Sequence, residues 1–237
     1  MKLLSWDIGI YNLSYCILDE NKKIIDWNII NLVDENINKN NKGALFENIP
    51  VKLNTIPQLL DVDLVIIENQ PSLKNPQMKS IQMIIYSYFL IYGKVINKKV
   101  NRVEFCSASN KLKIYDGPPI ILVQRQAKKV NSKVSKCLVN EDTVLSNDMK
   151  NIVIDETLKV MENNAVVDSK KKPKIKYSDK KKFAIEYTKY FLDKDASLYE
   201  KDEVPLFYKD FFMNHKKKDD LADSYLQGLY YLKHMKN

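Results

Sequence analysis

The sequence predicts an α/β fold: a mixed five-stranded sheet flanked by helices, with an insertion before the last helices. Three observations predict it. The chain opens on an apolar run broken by a tight turn, with residues 2–8 and 13–19 on either side of 9–12, and this reads as a hairpin of two strands. Leu64-Val65-Ile66-Ile67-Glu68 is a short continuous apolar run ending in a carboxylate, the pattern of a strand buried on both faces and parallel to its neighbour. Long stretches between and after these runs carry apolar residues at helical spacing instead.

Taken in order, residues 23–32 read as a third strand around Trp27, and the Asn-rich stretch 34–42 as a polar loop. Phe46, Ile49, Leu53, Ile56 and Leu59 fall at helical spacing and predict a helix over 45–60, in spite of Pro50 and Pro57. After the strand at 64–68, Met78, Ile81, Met83, Ile85, Tyr86 and Phe89 predict a helix from Pro76 to about 96, apolar around most of its circumference. The alternation in 100–106 gives the fifth strand, and Gly117-Pro118-Pro119 breaks the pattern. The stretch 118–176 scans differently, with a basic section, an acidic section and the cluster Lys170-Lys171-Lys172-Pro173-Lys174. We read it as an insertion into a single domain spanning 1–237, with some helix at 151–163 and a basic arm that is either a partner surface or a solvated face. Helical order returns at 177–192, where Ser178 suits an N-cap, and again in a final helix beginning at Asp219 or Asp220.

Composition narrows the function class. Of 237 residues, 45% are hydrophobic and 29% charged, as in ordinary globular proteins, so wholesale disorder is excluded. The net charge of +8 favours a polyanionic partner such as nucleic acid. Cys16, Cys106 and Cys137 have no CxxC spacing, which argues against a zinc ribbon or a disulfide framework and for a reducing compartment. No stretch reaches the ~18 apolar residues of a membrane span, and the N-terminus lacks the signal-peptide pattern, so an intracellular protein is expected.

The chemistry concentrates in four acids. Asp7 ends a strand expected to be central, where a carboxylate is costly to bury unless it is paired, binds a metal or caps the following turn. Glu68 ends the buried fourth strand. Asp220 and Asp223, three apart on a helix, share one face with Leu221 and Leu226 close by. Like charges so placed repel by a few tenths of a kcal/mol in solvent, and by more when partly buried, unless a cation lies between them; the alternative is acids favoured by the helix N-terminus. The order β-β-β-α-β-α-β followed by a C-terminal helix allows all four to meet at one sheet edge. Four acids there raise each other's pKa values and form a hard oxygen site suited to Mg²⁺ or Mn²⁺. Two ions ~4 Å apart in such a site serve phosphodiester hydrolysis.

Asp7 with Gly9 in a strand-turn-strand, Ile66-Ile67-Glu68-Asn69-Gln70 and Asp220-Leu221-Ala222-Asp223-Ser224 together resemble the RuvC family of Holliday junction resolvases, in the RNase H-like superfamily. Ile67-Glu68-Asn69-Gln70-Pro71 and the run 217–223 look closer to the poxvirus-type resolvases of large DNA viruses. The resemblance covers 1 to about 115 and 177–237. It implies an RNase H-like fold and a Mg²⁺-dependent homodimer, with Mn²⁺ as substitute, that cuts four-way DNA junctions by paired symmetric nicks. Asp7, Glu68, Asp220 and Asp223 would be its metal ligands and catalytic acids. It further implies that Lys111 is the basic residue following the fifth strand and that Lys180, Lys181 and Lys182 bind phosphate at a helix start, unless they are plain surface lysines. The loop after Glu68, from Gln70 to Lys74, would approach the junction centre, with Leu73 either an apolar wedge or a packing residue on the next helix. His215, five before Asp220, is either a further site residue or solvated. A viral relationship would put the protein at a cytoplasmic viral replication site. The insertion has no counterpart in the bacterial members.

Two other function classes stay open at this point. A ribonuclease H or transposon-type nuclease would share the acids and differ in substrate, and a non-catalytic nucleic-acid binding module would use only the basic surface.

Overall fold

The computed structural model describes residues 1–33, 41–73, 75–123, 151–153, 176–198 and 203–234. The chain separates into two compact units, Met1–Gly117 with Lys176–Asn237, and Pro118–Ile175. In the first unit a five-stranded mixed sheet has the order β3-β2-β1-β4-β5, the arrangement expected of an RNase H-like fold. β1 (Lys2–Asp7), β2 (Leu13–Asp19) and β3 (Ile24–Ile30) form an antiparallel meander, while β4 (Leu64–Glu68) and β5 (Arg102–Cys106) run parallel to β1.

Strand alternation sorts side chains between two faces. Leu4, Trp6, Tyr15, Ile17, Val65 and Ile67 point into the main core, covered by α1 (Lys42–Asn54) and α2 (Pro76–Tyr88). The other face, that of Leu3, Ser5 and Leu18, lies against the last helix, α5 (Lys218–His234). This packing depends on Gly228, since a Cβ there would meet Leu18 Cδ1 at 2.8 Å and Ser5 Cβ at 3.3 Å. α3 (Tyr177–Leu198) packs beside α5, and α4 (Glu203–Asn214) lies over β3. Trp27 of β3 stacks on Phe212 of α4 with ring centroids 5.3 Å apart and planes 10° from parallel.

Three expectations change. The helix expected over 45–60 ends at Asn54 and gives way to a 3₁₀ turn, Pro57–Leu60, because the residue preceding a proline is forced out of the helical region: Ile56 adopts φ −125°, ψ 80°. The long helix after Pro76 does continue to Ile96, but its last eight residues, Phe89–Ile96, are wound as a π-helix. Ser178 is not an N-cap. The helix opens at Tyr177, and the Lys176 carbonyl accepts from the N–H groups of Asp179 and Lys180.

In the second unit, β6 (Ile121–Val123) pairs antiparallel with β7 (Asn151–Val153). The helix expected over 151–163 therefore begins instead as strand; the rest of that stretch, the basic section and Lys170 to Lys174 lie outside the described residues.

Candidate active site

Asp7 and Glu68 reach one point because of the strand register. In the parallel pair β1 and β4, Leu3 lies opposite Leu64 and Trp6 opposite Ile67, so the next residues, Asp7 and Glu68, end adjacent strands on the same face. That is the face covered by α5, and buried polar contacts hold this helix in place. The Trp27 indole N–H donates to the Leu221 carbonyl at 3.1 Å. The Ser14 and Ser224 hydroxyls are 2.8 Å apart, and the Gln227 amide donates to the Trp6 carbonyl at 3.0 Å. Asp220 and Asp223, in the first turns of the helix so anchored, line the same cleft as Asp7 and Glu68.

Lys111 stands at the centre of the acids. It lies in a 3₁₀ segment, Ala108–Ile114, directly after β5, and is only 5% exposed. Its Nζ is 2.7 Å from Asp7 Oδ1, 3.0 Å from Asp223 Oδ2 and 3.3 Å from Glu68 Oε2. Burial pulls its pKa down, but the attraction of Asp7, Asp223 and Glu68 outweighs this and holds it well above the ordinary lysine value. Burial likewise holds the Asp7 carboxyl well above the usual range, against the pull of Lys111. Burial pushes Asp220 up to about 6, aided by repulsion from Asp219 and Asp7. Asp223 is also pushed up to about 6 by burial, with Lys111 opposing. One ammonium among four acids leaves the site short of positive charge.

The sequence reading placed a metal at the centre of these acids, where the structure has the Lys111 ammonium. Among the described residues, no group of three or more His, Cys, Asp or Glu is arranged to hold a metal ion as it stands. The donor set nevertheless fits a hard divalent cation: four carboxylates, three of them with raised pKa, gain from added positive charge and offer only oxygen.

Asp7, Glu68, Lys111, Asp220 and Asp223 line an open cleft of about 820 Å³, and Lys180 and Lys181 lie on its rim. Lys181 Nζ is 2.5 Å from Asp219 Oδ2. Lys182 is not among the lining residues, and its Nζ lies 3.8 Å from Asp179 Oδ1. Leu73 is 97% exposed, so it does not pack on the helix that follows. Lys74 lies outside the described residues. His215 sits between α4 and α5, where its Nδ1 accepts the Lys217 N–H at 3.0 Å, and it does not line the cleft.

Sequence reasoning placed Gln70 in the loop after Glu68 without giving it a partner, and it gave Tyr11 and Tyr177 no role. Gln70 donates its side-chain amide to Glu68 Oε2 at 3.1 Å, while its backbone N–H donates to Gln82 Oε1 at 2.8 Å, which steadies the loop behind the acid. Tyr11 and Tyr177 line the cleft. The i, i+4 pairs Phe207 with Phe211 and Tyr208 with Phe212 were the available signal for α4, which anchors Trp27.

No protein-family model matches the chain. Among solved structures it is similar to the yeast mitochondrial Holliday junction resolvase, with TM-score 0.49 and 15% identity over 98% of this chain and 78% of that one. It is also similar to the fowlpox virus Holliday junction resolvase, with TM-score 0.47 and 16% identity over 99% of each chain. An uncharacterised protein of Acanthamoeba polyphaga mimivirus is 36% identical over 177 residues, 73% of this chain. The chain spans 30% of that relative's length.

Proposed function

We propose that the protein is a divalent-metal-dependent endonuclease that cuts branched DNA, with a four-way junction as its substrate and paired symmetric nicks as its product. The observation that carries this reading is the convergence of Asp7, Glu68 and Asp223 on one buried ammonium, with Asp220 in the same cleft and lysines on its rim. The choice of a junction over other nucleic acids rests on the motif resemblance. Asp7, Glu68, Asp220 and Asp223 would hold Mg²⁺, or Mn²⁺ as substitute, as two ions per site. Such ions activate water and stabilise the leaving oxygen of a phosphodiester.

The chain's own groups do the rest. Gln70 orients Glu68 through its amide. Lys111 offsets the repulsion among the acids and keeps them converged. Lys180 and Lys181 would draw the phosphate backbone across the cleft, with Lys182 and the loop of Leu73 and Lys74 extending the contact. A homodimer would supply two such sites for the two nicks of one junction. The unpaired thiols Cys16 and Cys106 suit a reducing compartment, and the mimivirus similarity supports a viral replication site. Among the described residues, no helix is long and apolar enough to cross a membrane.

Incubation with a labelled four-way junction is the decisive experiment. Cleavage is expected with Mg²⁺ or Mn²⁺ and not with EDTA or Ca²⁺, and Asn or Gln at any of the four acids should abolish cutting while junction binding persists. Preferential cutting of an RNA–DNA hybrid would replace the substrate assignment, and binding without cutting under every metal would leave a binding module.

A further inference from the structure

Two aromatic rings that the chemistry above does not use line the cleft. Tyr11 lies in the turn between β1 and β2, four residues after Asp7, and is 47% exposed; Tyr177 opens α3 and is 75% exposed. Both line the same cleft as the four acids. The turn carrying Tyr11 is tied to its surroundings. The Leu32 N–H donates to the Ile10 carbonyl at 3.1 Å, and Gly9 approaches the Asn12 backbone so closely that no Cβ could be accommodated. The ring is therefore presented from a fixed base. At Tyr177, Lys181 Nζ lies 5.3 Å from the ring centroid, which adds a cation–π contact and brings positive charge beside the ring. Neither ring has a place in the buried core.

We propose that Tyr11 and Tyr177 are stacking walls, each receiving the face of one unpaired nucleobase beside the scissile phosphate, so that the site takes DNA with splayed bases in preference to continuous duplex. The proposal rests on the nuclease reading for its substrate class. Its chemistry is ordinary for single-stranded nucleic acid: a basic groove tracks the backbone while aromatic rings stack on bases without regard to sequence. Lys180 and Lys181 supply the first element and the tyrosines the second. An open cleft of about 820 Å³ is in the size range of small-ligand sites, room enough for a splayed nucleotide.

The test uses the full chain with Tyr11→Leu, Tyr177→Leu, Tyr11→Phe and Tyr177→Phe. The probe is a four-way junction carrying 2-aminopurine at the nucleotides flanking the branch point, in Ca²⁺ so that the readout does not depend on cutting. Wild type should quench the fluorophore on binding. Each Leu variant should lose the quench and bind roughly ten-fold to a hundred-fold more weakly. Each Phe variant, keeping the ring, should match wild type within about two-fold. Unchanged melting temperatures would separate this from misfolding, and both positions are exposed enough for that result to be expected. Wild-type quenching retained by both Leu variants, or Phe variants as weak as Leu variants, overturns the proposal. If quench and ring dependence hold but Mg²⁺ gives no cutting, the stacking walls stand and the nuclease reading falls. If wild type cuts the junction without changing the fluorescence, the nuclease stands and the stacking walls fall.

Discussion

Asp223 is held in the cleft at a cost in stability. Burial pushes its carboxyl up to about 6 in the folded protein, against an unfolded value of about 3.9. Between those values the native state binds more protons than the unfolded chain, so stability falls as pH rises through this window. In the presence of EDTA, Asp223→Asn should therefore raise stability at pH 7.5 by about 1–2 kcal/mol. That figure is discounted because a third of the side chain, 33%, remains in solvent. The gain should vanish near pH 4, where the wild-type acid is already neutral. Thermal denaturation of both proteins across pH 4–8 checks this, and a variant less stable than wild type at pH 7.5 would mean that the ion pair with Lys111 outweighs burial. Added Mg²⁺ should narrow the difference by stabilising only the protein that keeps all four acids.

At the scale of elements, the site depends on how α5 is seated, and Trp27 is the part that seats it. Its indole N–H reaches the Leu221 carbonyl, and its ring packs against Tyr208, Phe211, Phe212 and Tyr225. Trp27→Ala should cost about 3–5 kcal/mol in chemical denaturation, as large core truncations do. Because Asp220 and Asp223 ride on α5, the residual folded protein should also cut more slowly at saturating Mg²⁺ and substrate. A variant that loses stability but keeps full single-turnover cleavage would show that the helix finds its position without the tryptophan. α2 and its π-helical continuation present a different case. Phe89, Ile81 and Ile85 are core residues, and Met78 and Tyr86 pack against the core. Of Met78, Met83, Tyr86 and Phe89, only Met83 is exposed; the exposed apolar stripe lies further on, at Ile91, Tyr92, Val95 and Ile96. This stripe is the surface best suited to a second copy of the chain. Val95, 67% exposed, is the residue to change. Val95→Glu should shift sedimentation at micromolar concentration from dimer to monomer without lowering the melting temperature of the monomer, whereas wild type sedimenting as a monomer would remove the dimer from the proposal.

For the whole molecule, the +8 charge is directed by its distribution. Lys180 and Lys181 line the cleft and Lys182 does not. Neutralising the first two together should flatten the dependence of log K on log salt for junction binding by up to about 1.8, at ~0.9 for each phosphate left without its lysine, and neutralising Lys182 alone should do much less. Filter binding or fluorescence anisotropy between 50 and 200 mM salt, about the range over which such ion pairs are resolved, decides it. Equal effects from all three lysines would mean that the DNA path extends beyond the cleft.

Periodicity made much of this legible from sequence. The strands at 2–8, 13–19, 23–32, 64–68 and 100–106 were readable because a half-buried strand alternates every two residues and a strand buried on both faces is a short continuous apolar run, and the pleat assigns Asp7 and Glu68 to one face once β1 and β4 are paired in parallel with Trp6 opposite Ile67. The spacing of Asp220 and Asp223 was readable for the matching reason on a helix. Other features required coordinates, because they depend on residues that meet from far apart in the chain. Nothing in the local pattern around Lys111 says that its ammonium sits among three carboxylates, since those bonds cross 104, 43 and 112 positions. The separation of Lys181 from Lys182, the exposure of Leu73, and the seating of α5 on Trp27 through an unanticipated α4 are of the same kind. Sequence by itself determined which residues repeat with which period, and so the five strands of the main sheet and most of the helices that cover it. Only the tertiary structure decided which charges meet in the cleft, because burial and Coulomb attraction depend on distances that backbone periodicity does not set.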